Sequence, residues 1–246
     1  MGMKARFKPV VVGISVLSGC GPSGCRPEPD TQRVQPSEPS LDASGPRLEI
    51  PASQARDRDA LLEIITHYYP RWEPSRESLE EYVERYPSTP ETQKRIELGS
   101  QALAREEWPR FFRDVQQALS GLFVHTGMPP WPEIPSYQVV TCIEHPRGTK
   151  RTKCMVFRLS FLAPVYDYYE SDHRADERRT GTWLTPSPAA HQVVRIMERK
   201  IAEHFPGYVK LDPAIGETRL SDIGLPVTLP GEGTLQQALF AESRNW

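Results

Sequence analysis

The densest group of side chains that could carry out chemistry lies between residues 166 and 173. Carboxylates and an imidazole occur close together there, namely Asp167, Glu170, Asp172 and His173. Such a set can bind a hard metal ion or act as an acid–base group. The spacing, however, does not match a calcium-binding loop, and no second histidine stands where a zinc motif of the HExxH type needs one. We therefore favour a strand that passes into an acidic, solvated loop, and keep a hydrolytic site made of these four residues as the alternative.

Three tyrosines in the same segment suggest a surface for recognition. Tyrosine offers a rigid apolar ring with a polar tip, which suits it to protein interfaces. The residues that we expect to contact a partner are Tyr166, Tyr168, Tyr169 and the nearby Trp183. Since the sequence contains no G-x-S-x-G nucleophile elbow, we assign no catalytic residue.

The cysteines provide a second chemical expectation. Cys142 and Cys154 fall opposite each other if the segments that carry them pair as an antiparallel hairpin, and in an oxidising compartment they could form a disulfide. Such a bridge would close a loop of about 12 residues and add ~2–3 kcal/mol to stability. The alternative is a pair of buried thiols. If Cys142 and Cys154 form the bridge, Cys25 is left as an unpaired, exposed thiol. The sequence contains no CxxC pair, which argues against a zinc or redox motif.

The hairpin is the first element that must position these residues. Residues 137–144 and 153–165 are β-type runs separated by a turn-rich stretch at 145–150. Placing Cys142 opposite Cys154 gives one almost wholly apolar face and one mixed face, as a half-buried sheet requires. The further pairs that this register predicts are Val140 with Val156, Gln138 with Arg158, Thr141 with Met155, Val139 with Phe157, and Tyr137 with Leu159.

A helical part precedes the hairpin. Apolar residues recur at helical spacing over residues 55–123 and predict about four short helices. We expect the second helix to begin at Pro74-Ser75, the third at Thr89-Pro90 and the fourth at Pro109. A stiff, proline-rich crossing at 125–135 then leads to the strands.

A long helix follows the hairpin and begins at Ser187-Pro188. Its buried stripe is predicted to consist of Ala190, Val194, Met197, Ile201 and Phe205. The other elements expected in this part are strands at 180–184, 208–211 and 219–223 and a last helix at 235–240. The fold class is therefore α+β: a helical N-terminal layer packed with a small antiparallel sheet and one long C-terminal helix.

The amino terminus has the features of an export signal. Lys4, Arg6 and Lys8 precede an apolar stretch over residues 9–17. This stretch is about half as long as the ~20 residues that a membrane-spanning helix needs. The pattern predicts export of the chain.

The residues that end this stretch, Leu17-Ser18-Gly19-Cys20, resemble the lipobox of bacterial lipoproteins. The resemblance implies cleavage after Gly19, lipid on the Sγ atom of Cys20, and acylation of the new amino terminus. Several acyl chains hold a soluble domain on a bilayer because each buried CH₂ group contributes ~0.8 kcal/mol. In such lipoproteins an aspartate after the lipidated cysteine favours retention at the inner membrane. Residue 21 is glycine, so the resemblance implies that the protein is anchored in the outer membrane.

The predicted domain organisation has three parts. Residues 1–19 are the signal peptide, and residues 20–52 comprise the lipidated cysteine and a tether rich in proline and serine, which we expect to be disordered. Residues 53–246 form the globular domain, with a helical part at 53–124 and a sheet–helix part at 136–246.

The charge balance bears on the class of partner. Cleavage removes three of the 30 lysines and arginines and none of the 32 acidic residues, which leaves 27 basic side chains and a net charge of −5. A nucleic-acid-binding protein would show a basic face instead, so we expect no nucleic-acid partner. No pattern indicates a metal or a small-molecule cofactor, and the lipid on Cys20 is the one attached group that we expect.

A second likeness rests on Thr182-Trp183-Leu184-Thr185-Pro186-Ser187 and on the closing Leu239-Phe240 and Trp246. With these residues the C-terminal part is similar to uncharacterised lipoproteins of social soil bacteria. Some lipoproteins of those bacteria belong to toxin–immunity systems passed between cells. The likeness implies that setting and assigns no residue a role.

Together these patterns predict a non-enzymatic lipoprotein, anchored in the cell envelope through its lipid, that binds another protein. Two alternatives stay open. One is an exported toxin-type effector that uses the acidic and histidine residues as a hydrolytic site. The other is a structural envelope lipoprotein without a specific partner.

Overall fold

The computed structural model describes residues 54–126, 134–144, 151–174, 180–182, 187–226 and 228–240. The lipobox, the tether, Cys25, most of the proline-rich crossing, the turn at 145–150 and Trp183 lie outside these residues. The described part has an α+β fold, as the sequence predicts.

Four α-helices of the described residues come before the hairpin in the chain. They are α1 (Arg58–Tyr68), α2 (Leu79–Arg85), α3 (Pro90–Ala104) and α4 (Glu107–Ala118). Side chains that accept hydrogen bonds from otherwise unpaired backbone N–H groups begin the first three of them. These caps are Asp57, Ser78 and Thr89.

Two predicted starts are wrong by a few residues. Helix α2 begins at Leu79 and not at Pro74-Ser75, because Ser78 and Glu81 form a capping box in which each side chain accepts from the other's backbone N–H. Helix α4 begins at Glu107, before Pro109, because proline is tolerated anywhere in the first turn, where N–H groups have no partner in the helix.

The predicted helical part also extends too far. Helix α4 ends at Ala118, and Phe123–Thr126 form a strand, β1, that pairs antiparallel with the first strand of the hairpin. Strand β1 therefore adds an edge to the sheet where the sequence predicts the end of the helical part and the start of the proline-rich crossing.

In the described residues the sheet contains six strands. After β1 come β2 (Ser136–Glu144), β3 (Arg151–Ser160), β4 (Val165–Arg174), β5 (Thr180–Thr182) and β6 (Val209–Lys210). The order is β1-β2-β3-β4-β5, each pair antiparallel, and β6 runs parallel to the first residues of β4. The predicted register of the hairpin is confirmed at every pair, from Tyr137 opposite Leu159 to Cys142 opposite Cys154.

The segment at 166–173 is not the acidic, solvated loop that the sequence analysis favoured. It lies within β4, which pairs with β3 from Leu159 opposite Tyr166 to Arg151 opposite Arg174. The carboxylates in this segment suggested solvent exposure. Strand β3, however, carries Arg158 opposite Asp167. This positive charge offsets the free-energy cost of burying the Asp167 carboxylate.

Both faces of the sheet are covered, although a half-buried sheet was expected. Helices α4 and α5 (Pro188–His204) cover the apolar face of the hairpin. Helices α1 and α7 (Leu235–Phe240) build a second core where β3 turns into β4. Even Arg158, on the mixed face of the hairpin, is only 3% exposed.

The elements near the C-terminus largely follow the prediction. Ser187 caps α5, and all five residues of its predicted stripe are buried. The strand expected at 219–223 is replaced by isolated bridges, such as Arg71 with Ile223 and Arg219 with Thr234. A short helix, α6 (Pro213–Gly216), separates β6 from that region.

The hairpin brings the two cysteine thiols together. The Sγ atoms of Cys142 and Cys154 lie 3.0 Å apart without a disulfide between them. This separation leaves the predicted bridge within reach of a small side-chain adjustment.

We predict that the exported protein, alkylated before digestion, yields a peptide pair in which Cys142 and Cys154 are disulfide-linked. Adding a reductant should lower the free energy of unfolding of the wild type by ~2–3 kcal/mol, because the unfolded chain regains the entropy of an open loop. Urea denaturation measures this loss. The double variant C142A/C154A is the control and should not respond to the reductant, and alkylation of both cysteines in the native wild type would contradict the prediction.

Candidate binding cleft

Strand β4 carries the described side chains of the predicted acidic site and of the predicted recognition surface. Side chains of a strand alternate between its two faces. Tyr166, Tyr168 and Glu170 lie on the face toward α5, and Asp167 and Tyr169 lie on the opposite face. The alternation therefore divides both predicted sites.

Asp167 is held in an ion pair inside the protein. It is 2% exposed, and its two carboxylate oxygens accept hydrogen bonds from Nε and Nη2 of Arg158 at 2.9 and 2.6 Å. The side-chain amide of Gln236 in α7 donates to Oδ2 at 3.0 Å. Burial raises the pKa of the Asp167 carboxyl, while Arg158 and Gln236 act against that rise by stabilising the charged form.

The surroundings of Arg158 complete this arrangement. The rings of Tyr169 and Phe240 each have their centroid 5.1 Å from the guanidinium carbon. Such rings stabilise a cation that has lost its water. The ion pair and its neighbours therefore join β3, β4 and α7. Because both oxygens of Asp167 already accept hydrogen bonds, we assign this residue a structural role.

Of the alternative hydrolytic site, the two carboxylates with described side chains, Asp167 and Glu170, are not brought together on β4. Glu170 lies on the face away from Asp167, and its Oε2 atom accepts from the backbone N–H of Ser187 at 3.1 Å, beside the start of α5. His173 lies opposite Thr152, six residues beyond Asp167, which on a strand is about 20 Å. The side chains of Asp172 and His173 lie outside those described. Among the described residues no group of three or more histidine, cysteine, aspartate or glutamate side chains could hold a metal ion.

The three tyrosines do not form one surface. Tyr166 is 9% exposed and packs in the core beneath α5, where its hydroxyl lies 3.4 Å from Oε1 of Glu198. Burial, together with Glu198, raises the pKa of the Tyr166 hydroxyl, so this group stays protonated and donates. Tyr168 packs against Phe157 and lies under Lys210, whose Nζ atom is 3.9 Å from the ring centroid.

A cleft of about 650 Å³ opens beside this strand, where β6 pairs with β4. Tyr166 lines it, and we call it the β6 cleft. Its other lining residues are Arg56, Tyr208, Val209, Lys210, Leu211, Asp212, Pro213 and Ile215.

The backbone of β6 explains the position of the β6 cleft. Val209 donates its N–H to the carbonyl of Pro164 at 2.9 Å, and Leu211 donates to the carbonyl of Tyr166 at 2.8 Å. Because successive N–H groups of a strand point to opposite sides, the N–H of Lys210 points away from β4. Within the part of the chain that the structure describes, no strand pairs with this outer edge of β6, which runs along the β6 cleft.

The charges in the β6 cleft favour an anionic group. Arg56 and Lys210 contribute two cations and Asp212 one carboxylate. One oxygen of Asp212 already accepts from the backbone N–H of Ala214, at the start of α6. The remaining lining is aliphatic or aromatic, so the β6 cleft suits a ligand with both apolar and acidic groups.

Sequence analysis identified one of the lining residues, Tyr166, and missed Lys210, Tyr208 and Arg56. The short strand at 208–211 was predicted, but its partner was not. Parallel pairing between segments far apart in the chain leaves no local pattern to find. A cation within that strand, Lys210, is the one signal that could have pointed to the site.

Comparisons with protein-family models, with curated proteins and with solved structures found no match. In the part of the chain that the structure describes, no helix has the length and apolar character needed to span a bilayer.

Asp167→Asn is predicted to lower the free energy of unfolding by about 3–5 kcal/mol, because it leaves the Arg158 guanidinium buried without its counter-charge. Urea denaturation followed by circular dichroism measures the loss. Glu73→Gln removes the exposed partner of Arg76 and should cost less than about 1 kcal/mol. Equal costs for the two substitutions would show that the buried pair contributes no more than a surface one.

Proposed function

We propose that this chain is a lipid-anchored envelope protein that binds another protein through the β6 cleft and carries out no chemistry there. The supporting observation is the β6 cleft itself, in which a strand edge, two cations and an apolar lining occur together. Protein partners present these same complementary groups, namely backbone amides, carboxylates and aliphatic side chains.

The contacts that Asp167 and Glu170 make support binding over catalysis. A hydrolytic group needs a carboxylate or imidazole within hydrogen-bond reach of a second reacting group. Asp167 is committed to Arg158, and Glu170 lies on the other face of β4. The toxin-type effector therefore has no described acid–base pair on this strand to use.

The lipid anchor is the second part of the proposal and rests on the motif that ends at Cys20. A tether of this length, behaving as a flexible coil, has a root-mean-square span of about 30 Å. That reach suits a domain that must contact a partner beside the membrane. The C-terminal part resembles uncharacterised lipoproteins of social soil bacteria, and some lipoproteins of those bacteria belong to toxin–immunity systems, so a partner of that class is the first to test.

Reversing both cations of the β6 cleft, with R56E/K210E, is predicted to lower the yield of cross-linked partner at least about tenfold, because a complementary charge becomes repulsive. The measurement is quantitative mass spectrometry of adducts formed by the full chain in intact envelopes. K94E/R113E makes the same change of charge at exposed positions of α3 and α4 and serves as the control. Equal yields from both variants would place the interface elsewhere, and a wild type with no specific adduct would support the structural alternative.

Cys20→Ala is predicted to release the protein from the membrane fraction, because the acyl chains on residue 20 supply the affinity for the bilayer. Fractionation followed by immunoblotting measures the release. The intact mass of the wild type should correspond to a chain that begins with an acylated Cys20. A native chain that retains Met1 and carries no lipid would refute the anchor.

A further inference from the structure

We propose that the outer edge of β6 binds a partner as an added β-strand, with an acidic side chain facing Lys210 and apolar side chains on either side of it. This inference rests on the proposed function and specifies the partner as an extended peptide segment of alternating apolar and acidic residues.

The backbone of β6 makes such an addition possible. Among the described residues, β6 pairs with β4 alone, so its second edge has no strand beside it. The N–H of Lys210 points to this second edge, since Val209 and Leu211 direct theirs to β4. An extended peptide can accept from this N–H and donate to the carbonyl of the same residue, as peptides do when they extend a sheet.

The edge of the sheet at β1 is less suitable. In β1 the carbonyl of Val124 accepts a hydrogen bond from the side-chain amide of Gln116 at 3.4 Å. A side chain that occupies an edge carbonyl competes with an incoming strand. The edge of β6 has no such cover among the described residues, and it opens onto the β6 cleft.

The side chains of β6 determine the pattern of the peptide. A residue that pairs with Lys210 places its side chain on the face of Lys210, and its two neighbours face the side of Val209 and Leu211. Val209 and Leu211 belong to the core around α1 and α7, so apolar neighbours match that side. A carboxylate matches Lys210 on the other side.

Lys210 is placed to receive this carboxylate. Its side chain is exposed, and its Nζ atom donates to the hydroxyl of Tyr168 at 2.7 Å while resting on the ring. An ammonium group has three donors, so two remain for an incoming carboxylate. Arg56 adds a second cation to the lining and makes no ion pair within the described residues.

The probe for the test is a fluorescein-labelled heptapeptide, Ser-Val-Glu-Val-Glu-Val-Ser, with both ends blocked. Fluorescence anisotropy with the full mature chain measures its dissociation constant. The same peptide with lysine in place of glutamate should bind at least about tenfold more weakly, because its charges repel Lys210 and Arg56.

Two substitutions at one position separate charge from backbone. Lys210→Ala removes the ammonium and should weaken binding about fivefold. Lys210→Pro removes the ammonium and also the outward N–H, and should weaken binding about tenfold further. Proline is tolerated at an edge position whose N–H makes no bond within the sheet, so thermal unfolding of the two variants should agree.

A modified peptide repeats the backbone test on the wild-type chain. Methylation of the backbone nitrogen of the residue that pairs with Lys210 removes the donor to the carbonyl of Lys210, and should weaken binding about tenfold. One peptide carries the methyl group on both glutamates, since either can occupy that place and a peptide methylated at only one could bind through the other. This arm remains informative if Lys210→Pro fails to fold.

Undiminished binding of the doubly methylated peptide, with equal binding by Lys210→Ala and Lys210→Pro where the latter folds, would overturn strand addition. So would failure of the acidic peptide to bind while R56E/K210E still abolishes cross-linking, and in that case the proposed function would stand. If the peptide binds as expected but R56E/K210E does not lower the yield of cross-linked partner, strand addition stands and the proposed function fails.

Discussion

The guanidinium of Arg158 and the carboxylate of Asp167 are buried together between β3, β4 and α7, and this pair controls how the sheet can be covered. A buried carboxylate without a partner would favour a solvent-exposed strand end, as its cost in a medium of low polarity is several kcal/mol. With two hydrogen bonds from Arg158 and one from Gln236, the charge is neutralised in place. Strand β4 can then have α5 on one face and α7 on the other.

Covering β4 on both faces determines where ligands can approach. The faces are used for packing, so the available surface is an edge. Strand β5 pairs with the second half of β4, and the two residues of β6 pair with the first half. The β6 cleft lies beside that short strand, where Arg56, near the start of the described residues, meets residues 208–215. The binding site that we propose on this strand edge needs no mobile catalytic group, and this agrees with the structural contacts that Asp167 and Glu170 make.

Local patterns predicted much of the fold. The hairpin register followed from the alternation of side chains, because a shift by one residue would have exchanged its two faces. The stripe of α5 and its cap at Ser187 followed from helical spacing and from the preference of serine for that position. The prediction failed at β4, where acidic residues suggested solvent and the true environment depended on Arg158 in a neighbouring strand. Of the residues that line the β6 cleft, the sequence identified Tyr166, although as an exposed residue.

The sequence by itself determined the class of fold, the register that places Cys142 opposite Cys154, and the motif that ends at Cys20. Each of these depends on residues that are close in the chain or that repeat with a fixed period. Tertiary structure alone decided that Asp167 is buried, that the tyrosines of β4 face opposite ways into packed surroundings, and that Arg56 and Lys210 line one cleft. The physical reason is that the cost of burying a charge, and the availability of a strand edge, depend on which distant segment packs beside it.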